Sequence, residues 1–272
     1  RVILFFPGAP IHIDADGRPQ WDAAPTARLF RHLVRSLARE AKAGRVIFAA
    51  ETHPMVRALS ALSGVQFTYL PHPVALPEDT AESAPPADAG DILLGSYGSA
   101  RHEKGPDILF AAVEKHLAAH PDTRLRFALQ VVGCFTDSWK RLAGHPRVDI
   151  IEDFFPPGEY PRQLARTHGL ILPYRTSSYA LRVSRVVIEA MVGGFPLIAT
   201  DHTTLSDQAA QFGAGVFCEN ENVESLAAAI RQLEEHFQSL RTRAWDRRRA
   251  AREHFSVATF RQLLAGSAGP EV

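Results

Sequence analysis

Cysteine is scarce in this sequence, with only Cys134 and Cys218 among its 272 residues. Two cysteines offer no disulfide framework and no metal-ligand spacing. We therefore interpret both as packed thiols of a reducing compartment and expect a cytoplasmic protein. Long hydrophobic runs are also missing, since no apolar stretch approaches the roughly 20 residues that cross a bilayer. We recognise no signal peptide, and because the sequence opens on Arg1 and directly on a strand, we expect an upstream piece of the protein.

Charge of one sign is not in excess, since 30 basic residues balance 30 acidic residues. A protein without net charge lacks the positive field over its whole surface that attracts nucleic acid. Hydrophobic residues make up 46% of the chain and charged residues 22%, as in an ordinary globular protein. The length fits two domains of ordinary size or one large domain. We expect no nucleic-acid partner.

One stretch divides the chain into two parts. Residues 76–90 are small, acidic and proline-bearing, which is typical of a linker. Buried strands and helices alternate on both sides of it, which predicts two doubly wound α/β domains. We expect a short first domain over residues 1–75 and a second domain over residues 91–272. The predicted strands lie at residues 2–6, 46–49, 67–70, 91–97, 125–132, 148–152, 170–172, 196–199 and 215–218.

The central unit of the second domain spans residues 170–201. Two continuous apolar runs flank a helix that ends at Gly193 and Gly194, the pattern of a parallel strand–helix–strand crossover. That helix carries one acid, Glu189, among apolar neighbours. An isolated buried carboxylate needs a partner. The spacing leaves two alternatives, an ion pair with Arg182 or Arg185 or a hydrogen bond to a ligand hydroxyl.

A basic loop follows the first strand of the second domain, with the sequence GSARHEKG over residues 98–105. It holds Arg101 and Lys104 and leads into a helix, so its amides and cations favour an anion such as a diphosphate. A solvated loop without a ligand is the equal alternative. The loop matches neither G-x-G-x-x-G nor the P-loop pattern G-K-[ST].

The order of these motifs resembles the carboxyl half of the group 1 (family 4) glycosyltransferases. It runs from G-x-x-R-x-E-K-G through LPY, R-x-S, EAM and G-x-P-L-I-A-T-D to LAAAI, covering residues 91 to about 264. The resemblance implies a GT-B enzyme with two Rossmann-like domains. Such enzymes transfer a sugar from a nucleotide-diphosphate sugar to an acceptor, mostly with retention. It implies no cofactor beyond the donor and no metal, and the acceptor is unidentified.

The resemblance also implies residue roles. Lys104 matches the lysine that binds the donor diphosphate. Ser99 takes the place of a family arginine, for which Arg101 is the candidate substitute, and these two cations would be the catalytic groups. Glu189 matches the glutamate that holds the ribose hydroxyls. The family's other glutamate, which faces the sugar, falls on Leu181. The remaining expected donor-binding residues are Gly98, Tyr179, Arg182, Ser184, Phe154 and Phe155.

Phe154 and Phe155 would lie near the nucleobase, although core packing is favoured for that pair. Ser99 and Leu181 leave open a catalytically silent module that binds a nucleotide sugar. A nucleotide-sugar epimerase is a further alternative, but it would need carboxylates and a histidine in the cleft, of which the second domain supplies few.

Three weaker signals remain. Asp14 and Asp16 have the form of the D-x-D metal motif, although the segment lacks the rest of the fold that uses it. Residues 51–53 follow a first-domain strand and could face the cleft, with capping of the next helix by Thr52 favoured. An arginine run near the C-terminus predicts a solvated helix face, with contact to an anionic membrane as the alternative. That run comprises Arg241, Arg243, Arg247, Arg248, Arg249 and Arg252.

Overall fold

The computed structural model describes residues 2–14, 16–74 and 90–266. The predicted linker at residues 76–90 therefore lies outside the described residues, apart from Gly90. We call residues 2–74 the first unit and residues 90–266 the second unit. Each has its own parallel sheet.

The first unit is a three-stranded parallel sheet with helices and a small hairpin. Its elements in chain order are β1 (Val2–Phe6), β2 (Ile11–Ile13), β3 (Pro19–Trp21), α1 (Pro25–Ser36), α2 (Ala38–Lys42), β4 (Val46–Ala50), α3 (His53–Ser63) and β5 (Phe67–Tyr69). The sheet order is β1-β4-β5, and β2 pairs with β3 in antiparallel fashion. The three predicted strands are confirmed. Apolar residues at helical spacing over residues 26–43 predict a single helix, but the helix is interrupted at Leu37, between α1 and α2.

The second unit contains a six-stranded parallel sheet. Its first elements are β6 (Ile92–Ser96), α4 (Pro106–Ala119), β7 (Leu125–Gln130), β8 (Val148–Ile151), α5 (Glu159–Arg166) and β9 (Gly169–Leu172). There follow α6 (Thr176–Tyr179), α7 (Arg185–Gly193), β10 (Leu197–Thr200), α8 (Thr204–Phe212), β11 (Gly215–Cys218), α9 (Val223–Glu235), α10 (Phe237–His254) and α11 (Val257–Leu264). All six strands predicted for this unit are present.

The strand order of that sheet is β11-β10-β9-β6-β7-β8. This is the doubly wound order of a Rossmann sheet, whose direction of winding reverses between the first and fourth strands, here β6 and β9. Strand β9 is fully buried over its whole length, as its continuous apolar run predicts. Ligands bind such sheets beyond the carboxyl ends of the two strands at the reversal. The basic loop after β6 and the loop after β9 both lie there.

The C-terminal helices return to the first unit. Helix α10 ends at His254, and the chain turns at Phe255 into α11. Phe260 packs edge-on against Phe5 with ring centroids 5.8 Å apart, and the Tyr69 hydroxyl lies 2.8 Å from Nε2 of His254. Although predicted as part of the second domain, the tail thus joins the two units.

The arginine run of α10 does not form one solvated face, which corrects the expectation from sequence. Arg241 is buried, and Arg247 donates to the carbonyls of Ala210 and Gly213 at the end of α8. Arg252 donates in the same way to the carbonyl of Val192 in α7. These cations satisfy carbonyls at helix C-termini, which have no intrahelical partners. Within the described residues, no helix is both long enough and apolar enough to cross a bilayer.

Candidate functional site

Two loops meet at the reversal point of the sheet. The basic loop, residues 98–105, contains one 3₁₀ turn (His102–Lys104) and ends at Gly105 with φ +63°. The central loop, residues 173–184, contains the single-turn helix α6 and ends at Ser184, the N-cap of α7. A Cβ on Gly105 would lie 2.3 Å from the Pro173 carbonyl oxygen, so only glycine allows the two loops to approach this closely.

The half-buried Lys104 is the cation of this site. Its ammonium lies 5.5 Å from the ring centroid of Tyr174, and a Cβ on Gly98 would be only 2.8 Å from Nζ. Burial, assisted by the charge of Arg101 and opposed by that of Glu103, lowers the pKa of Lys104 to about 8. Arg101 is itself paired with Glu103 at 2.9 Å, whereas no described carboxylate forms an ion pair with Lys104. A desolvated cation without a counter-ion favours an anionic ligand.

An open cleft of about 360 Å³ begins at Gly98 and extends to α7. Its lining residues are Gly98, Gln130, Phe154, Phe155, Tyr160, Arg185, Val186 and Glu189. Gly98 thus adjoins Lys104 on one side and shares a cleft with Glu189 on the other. Glu189 therefore lines the cleft, and Lys104 lies beside Gly98 at one end of it.

Glu189 is held by two neighbours. One carboxylate oxygen accepts from Nε of Arg185 at 2.9 Å, and the other accepts from the Tyr160 hydroxyl at 2.5 Å. The predicted ion pair therefore exists with Arg185, while Tyr160 was not expected. Burial and the adjacent carboxylate raise the pKa of Tyr160, so this phenol stays a hydrogen-bond donor at neutral pH. Each carboxylate oxygen keeps a further lone pair for a ligand hydroxyl.

The two phenylalanines after β8 behave differently. Phe155 packs edge-on to Tyr97 at 5.9 Å and lies 5.9 Å from Tyr160, as core packing predicts. Phe154 is 66% exposed at the mouth of the cleft, so core packing is wrong for this residue. An exposed aromatic ring on the rim of a cleft is available for stacking.

Two amides of the basic loop are already bonded within the protein. The Gly98 amide donates to Oε1 of Gln130 at 2.7 Å, and the Ala100 amide donates to the Val132 carbonyl at 2.8 Å. Helix α4 opens with Pro106, which has no amide hydrogen, and has an acid in its first turn. The start of α7 is better suited, because Ser184 makes no side-chain cap there and Val186 lines the cleft.

The other expected donor-binding residues lie along the two loops. Tyr179 is buried with its ring 4.6 Å from that of Tyr174, and Ser99 and Arg182 are partly exposed and exposed, respectively. Leu181 is buried in the core of the first unit, and its carbonyl accepts from the Thr52 hydroxyl at 2.5 Å. The position of the family's sugar-facing glutamate is thus occupied by a packing residue.

Residues 51–53 do face the second unit, as the sequence allows. Thr52 caps α3 by accepting from the Met55 amide at 3.1 Å, so the favoured role is confirmed. Glu51 is 2% exposed and lies 3.2 Å from Nδ1 of His72 and 3.4 Å from the Val183 amide. Burial raises the pKa of Glu51, although His72 opposes that rise.

Asp14 has a structural role in the hairpin turn, where its carboxylate accepts from the amides of Asp16 and Arg18 and from Gln20. In the described part of the chain, no group of three or more histidine, cysteine or acidic residues could hold a metal ion. The D-x-D form is therefore explained by turn geometry.

Sequence reasoning missed Gln130, Tyr160 and Arg175. Each acts through partners more than 20 residues away along the chain. Arg175 alone carried a recognisable signal, since it directly follows the strand and the Pro173-Tyr174 pair that open the central loop.

Two units with parallel sheets facing a common crevice define the architecture of GT-B glycosyltransferases. The family model of glycosyl transferases group 1 matches residues 92–236, which is more than half of the chain. The chain belongs to this family. A comparison with curated proteins gives no match.

Solved structures show the same fold at low sequence identity. HepE from Anabaena, in complex with UDP and glucose, is 16% identical with a TM-score of 0.65, covering 97% of this chain and 70% of HepE. A TarM mutant from S. aureus, in complex with Fondaparinux, alpha-GlcNAc-glycerol and UDP, is 15% identical with a TM-score of 0.68 over 97% of this chain. The chain spans only 50% of that TarM. Sucrose-phosphate synthase from Thermosynechococcus elongatus is 19% identical, with a TM-score of 0.59 over 90% of this chain and 65% of its own.

Proposed function

We propose that this chain transfers a sugar from a nucleoside-diphosphate sugar to an acceptor, with retention and without a metal ion. UDP is the first candidate for the nucleotide, because HepE and TarM were solved with UDP. The single observation that carries the proposal is the ammonium of Lys104, which forms no ion pair with a described carboxylate and lies beside Gly98 at one end of the cleft that holds Glu189. In this proposal, residues 1–75 form the acceptor side and residues 91–272 the donor side, in a cytoplasmic protein.

In this arrangement the diphosphate lies between Lys104 and the N-terminus of α7, and Arg101 adds positive charge at the rim. The ribose hydroxyls donate to Glu189, which Tyr160 and Arg185 hold in place. The base stacks on the exposed ring of Phe154. As the bond from the anomeric carbon to the leaving phosphate breaks, negative charge grows beside Lys104. A fixed cation at that position lowers the barrier more than it lowers the energy of the ground state.

Substitution of Lys104 tests the proposal. Removing one such electrostatic group typically costs about 2.7–4 kcal/mol, or two to three decades in rate. We expect Lys104→Ala to slow the release of UDP from UDP-glucose by that factor, and Lys104→Arg to retain part of the rate.

Lys115→Ala is the matched control, because Lys115 lies in α4 and pairs with the exposed Glu224 away from the cleft. Undiminished UDP release in Lys104→Ala would overturn the assignment. An equal loss in Lys115→Ala would show that general destabilisation is the cause.

A catalytically silent binding module is the second candidate. The burial of Leu181 in the first unit favours it, because the family's sugar-facing carboxylate is then missing. Tight binding of UDP, without any release of UDP from UDP-glucose, UDP-GlcNAc or UDP-galactose, would support the binding module over the enzyme. The donor-binding residues would be the same in both cases.

Contact with an anionic membrane through α10 has little structural support, since Arg241, Arg247 and Arg252 are engaged within the fold. Sedimentation with vesicles that contain or lack phosphatidylserine measures this contact. We expect no difference between the two vesicles.

A further inference from the structure

Arg175 lies where four segments of the second unit converge. It is 4% exposed and donates to both carboxylate oxygens of Asp107, at 2.8 and 3.0 Å, and to Oε1 of Glu221 at 2.7 Å. Its guanidinium also donates to the carbonyl of His102, and its backbone amide donates to the carbonyl of Glu103 at 2.9 Å. Burial alone would lower the pKa of Arg175, but the two carboxylates outweigh it and raise the pKa.

Two of these contacts are made to the basic loop itself. His102 and Glu103 are the residues directly before Lys104, and their carbonyls are tied to the guanidinium and the backbone amide of Arg175. Gly105, directly after Lys104, lies so close to the Pro173 carbonyl that no Cβ would fit between them. Both sides of Lys104 are therefore fixed by residues 173–175, while the Lys104 ammonium stands over the ring of Tyr174.

A planar guanidinium with five donors can satisfy two carboxylates and a carbonyl at once, which an ammonium cannot do with the same geometry. Asp107 belongs to the first turn of α4, and Glu221 follows β11. A fully paired arginine of this kind contributes no net positive charge to the cleft. Arg175 therefore affects a ligand only indirectly, by holding the basic loop in position.

We propose that Arg175 is the positioning residue of the diphosphate site, fixing residues 102–105 so that Lys104 is held beside Gly98. The proposal rests on the proposed function for the identity of the ligand. Arg175 does not touch the nucleotide. It therefore affects the binding of the diphosphate and not that of the nucleoside, which contacts α7 and Phe154.

The test compares Arg175→Gln and Arg175→Lys with the wild type, using UDP in calorimetry and uridine in ligand-observed NMR. We expect the Kd of UDP to rise at least tenfold in Arg175→Gln and less in Arg175→Lys, with uridine binding unchanged. Combining Arg175→Gln with Lys104→Ala should weaken UDP binding little further than Lys104→Ala alone, because both changes remove the same contact.

Arg241→Gln is the matched control, because Arg241 is also buried but packs on Phe237 in α10. Hydrogen exchange of residues 98–107 gives a readout that needs no nucleotide. Faster exchange of this segment in Arg175→Gln, and not in Arg241→Gln, is the expected result. Glu221→Gln, which removes one exposed counter-charge, replaces Arg175→Gln if that variant does not fold, and should give a smaller change in the same direction.

The outcomes separate the two proposals. A wild-type chain that binds no UDP would contradict the proposed donor. The hydrogen-exchange rates of residues 98–107 would still test whether Arg175 holds this loop. A wild type that binds UDP, with Arg175 variants that weaken UDP and uridine alike or weaken neither, would overturn the positioning role.

Discussion

Single side chains in this fold are explained by their immediate surroundings. The sequence predicts a site at Lys104 from the basic loop that precedes a helix, and at Glu189 from the single acid on an apolar helix. The partners of Glu189 were only half predictable. Arg185 lies one helical turn away along the chain, whereas Tyr160 lies on α5, and no local spacing connects α5 to α7. Phe154 and Phe155 show the same limit, since adjacent and identical residues differ in burial.

The lowered pKa of Lys104 predicts how nucleotide binding depends on pH. With a pKa of about 8, roughly nine in ten of these side chains are charged at pH 7, and most are neutral at pH 9. We expect the affinity for UDP, measured by calorimetry, to fall between pH 7 and pH 9. Lys104→Arg should bind UDP with an affinity that is nearly constant over this range, because arginine stays charged. A steep fall in both proteins would assign the titration to another group.

Exposed aromatic rings also permit a prediction at this scale. Phe154→Ala should weaken binding of uridine and UDP by a similar factor, because stacking on the base is lost in both, and base stacking on an aromatic ring is worth about 1–3 kcal/mol. Phe217→Ala is a suitable control, since Phe217 is 38% exposed on β11 and does not line the cleft. Equal binding by Phe154→Ala and wild type would place the base elsewhere.

Helices and strands were predictable wherever one pattern held for long enough. Strands β9 and β10 are apolar over almost their whole length, and the alternation of strands with helices through the second unit predicts the doubly wound architecture. The β2–β3 hairpin was missed because each strand has three residues and carries polar side chains. The break at Leu37 was missed because apolar residues continue at helical spacing through it. The order of the strands determines which loops lie together at the reversal point. This order is predicted by the doubly wound class of the fold and not by the sequence of any single strand.

The close contact at Gly105 predicts how strongly a substitution there destabilises the second unit. Gly105→Ala should destabilise the second unit more than Gly133→Ala. Both glycines have a left-handed conformation, with φ of +63° and +68°, but an added Cβ meets the Pro173 carbonyl at Gly105 and nothing within 4 Å at Gly133. The left-handed strain alone costs about 1–2 kcal/mol, and the clash adds about 1–3 kcal/mol at Gly105. Urea unfolding of the two variants measures the difference, and equal losses would show that the loops separate easily.

At the scale of the whole molecule, the first and second units are joined by polar contacts, by the packing of Leu181 into the core of the first unit and by the C-terminal tail. The first unit contributes Glu51 and Thr52, which reach the backbone of the central loop at Val183 and Leu181. The tail contributes Phe260 and His254. None of these cross-unit pairs could be predicted from sequence, because they depend on how two separately patterned units meet.

The raised pKa of Glu51 predicts a pH dependence of stability. Because the fold disfavours the ionised carboxylate, stability is lost as the pH rises from the unfolded value of 4.5 through the higher folded pKa. Glu51→Gln keeps a hydrogen-bond acceptor for Val183 and removes that charge, so its melting temperature relative to wild type should increase between pH 5 and pH 8. The neighbours of Glu51 that can carry positive charge are His72 and Arg182, and a constant difference across this range would mean that they fully compensate the buried charge.

The position of a bound nucleotide tests the central claim most directly. A crystal structure of the chain with UDP should place diphosphate oxygens within about 3.2 Å of Nζ of Lys104 and a ribose hydroxyl within the same distance of the Glu189 carboxylate. A nucleotide whose diphosphate contacts neither Lys104 nor the start of α7, or that lies outside the cleft between Gly98 and Glu189, would contradict the account.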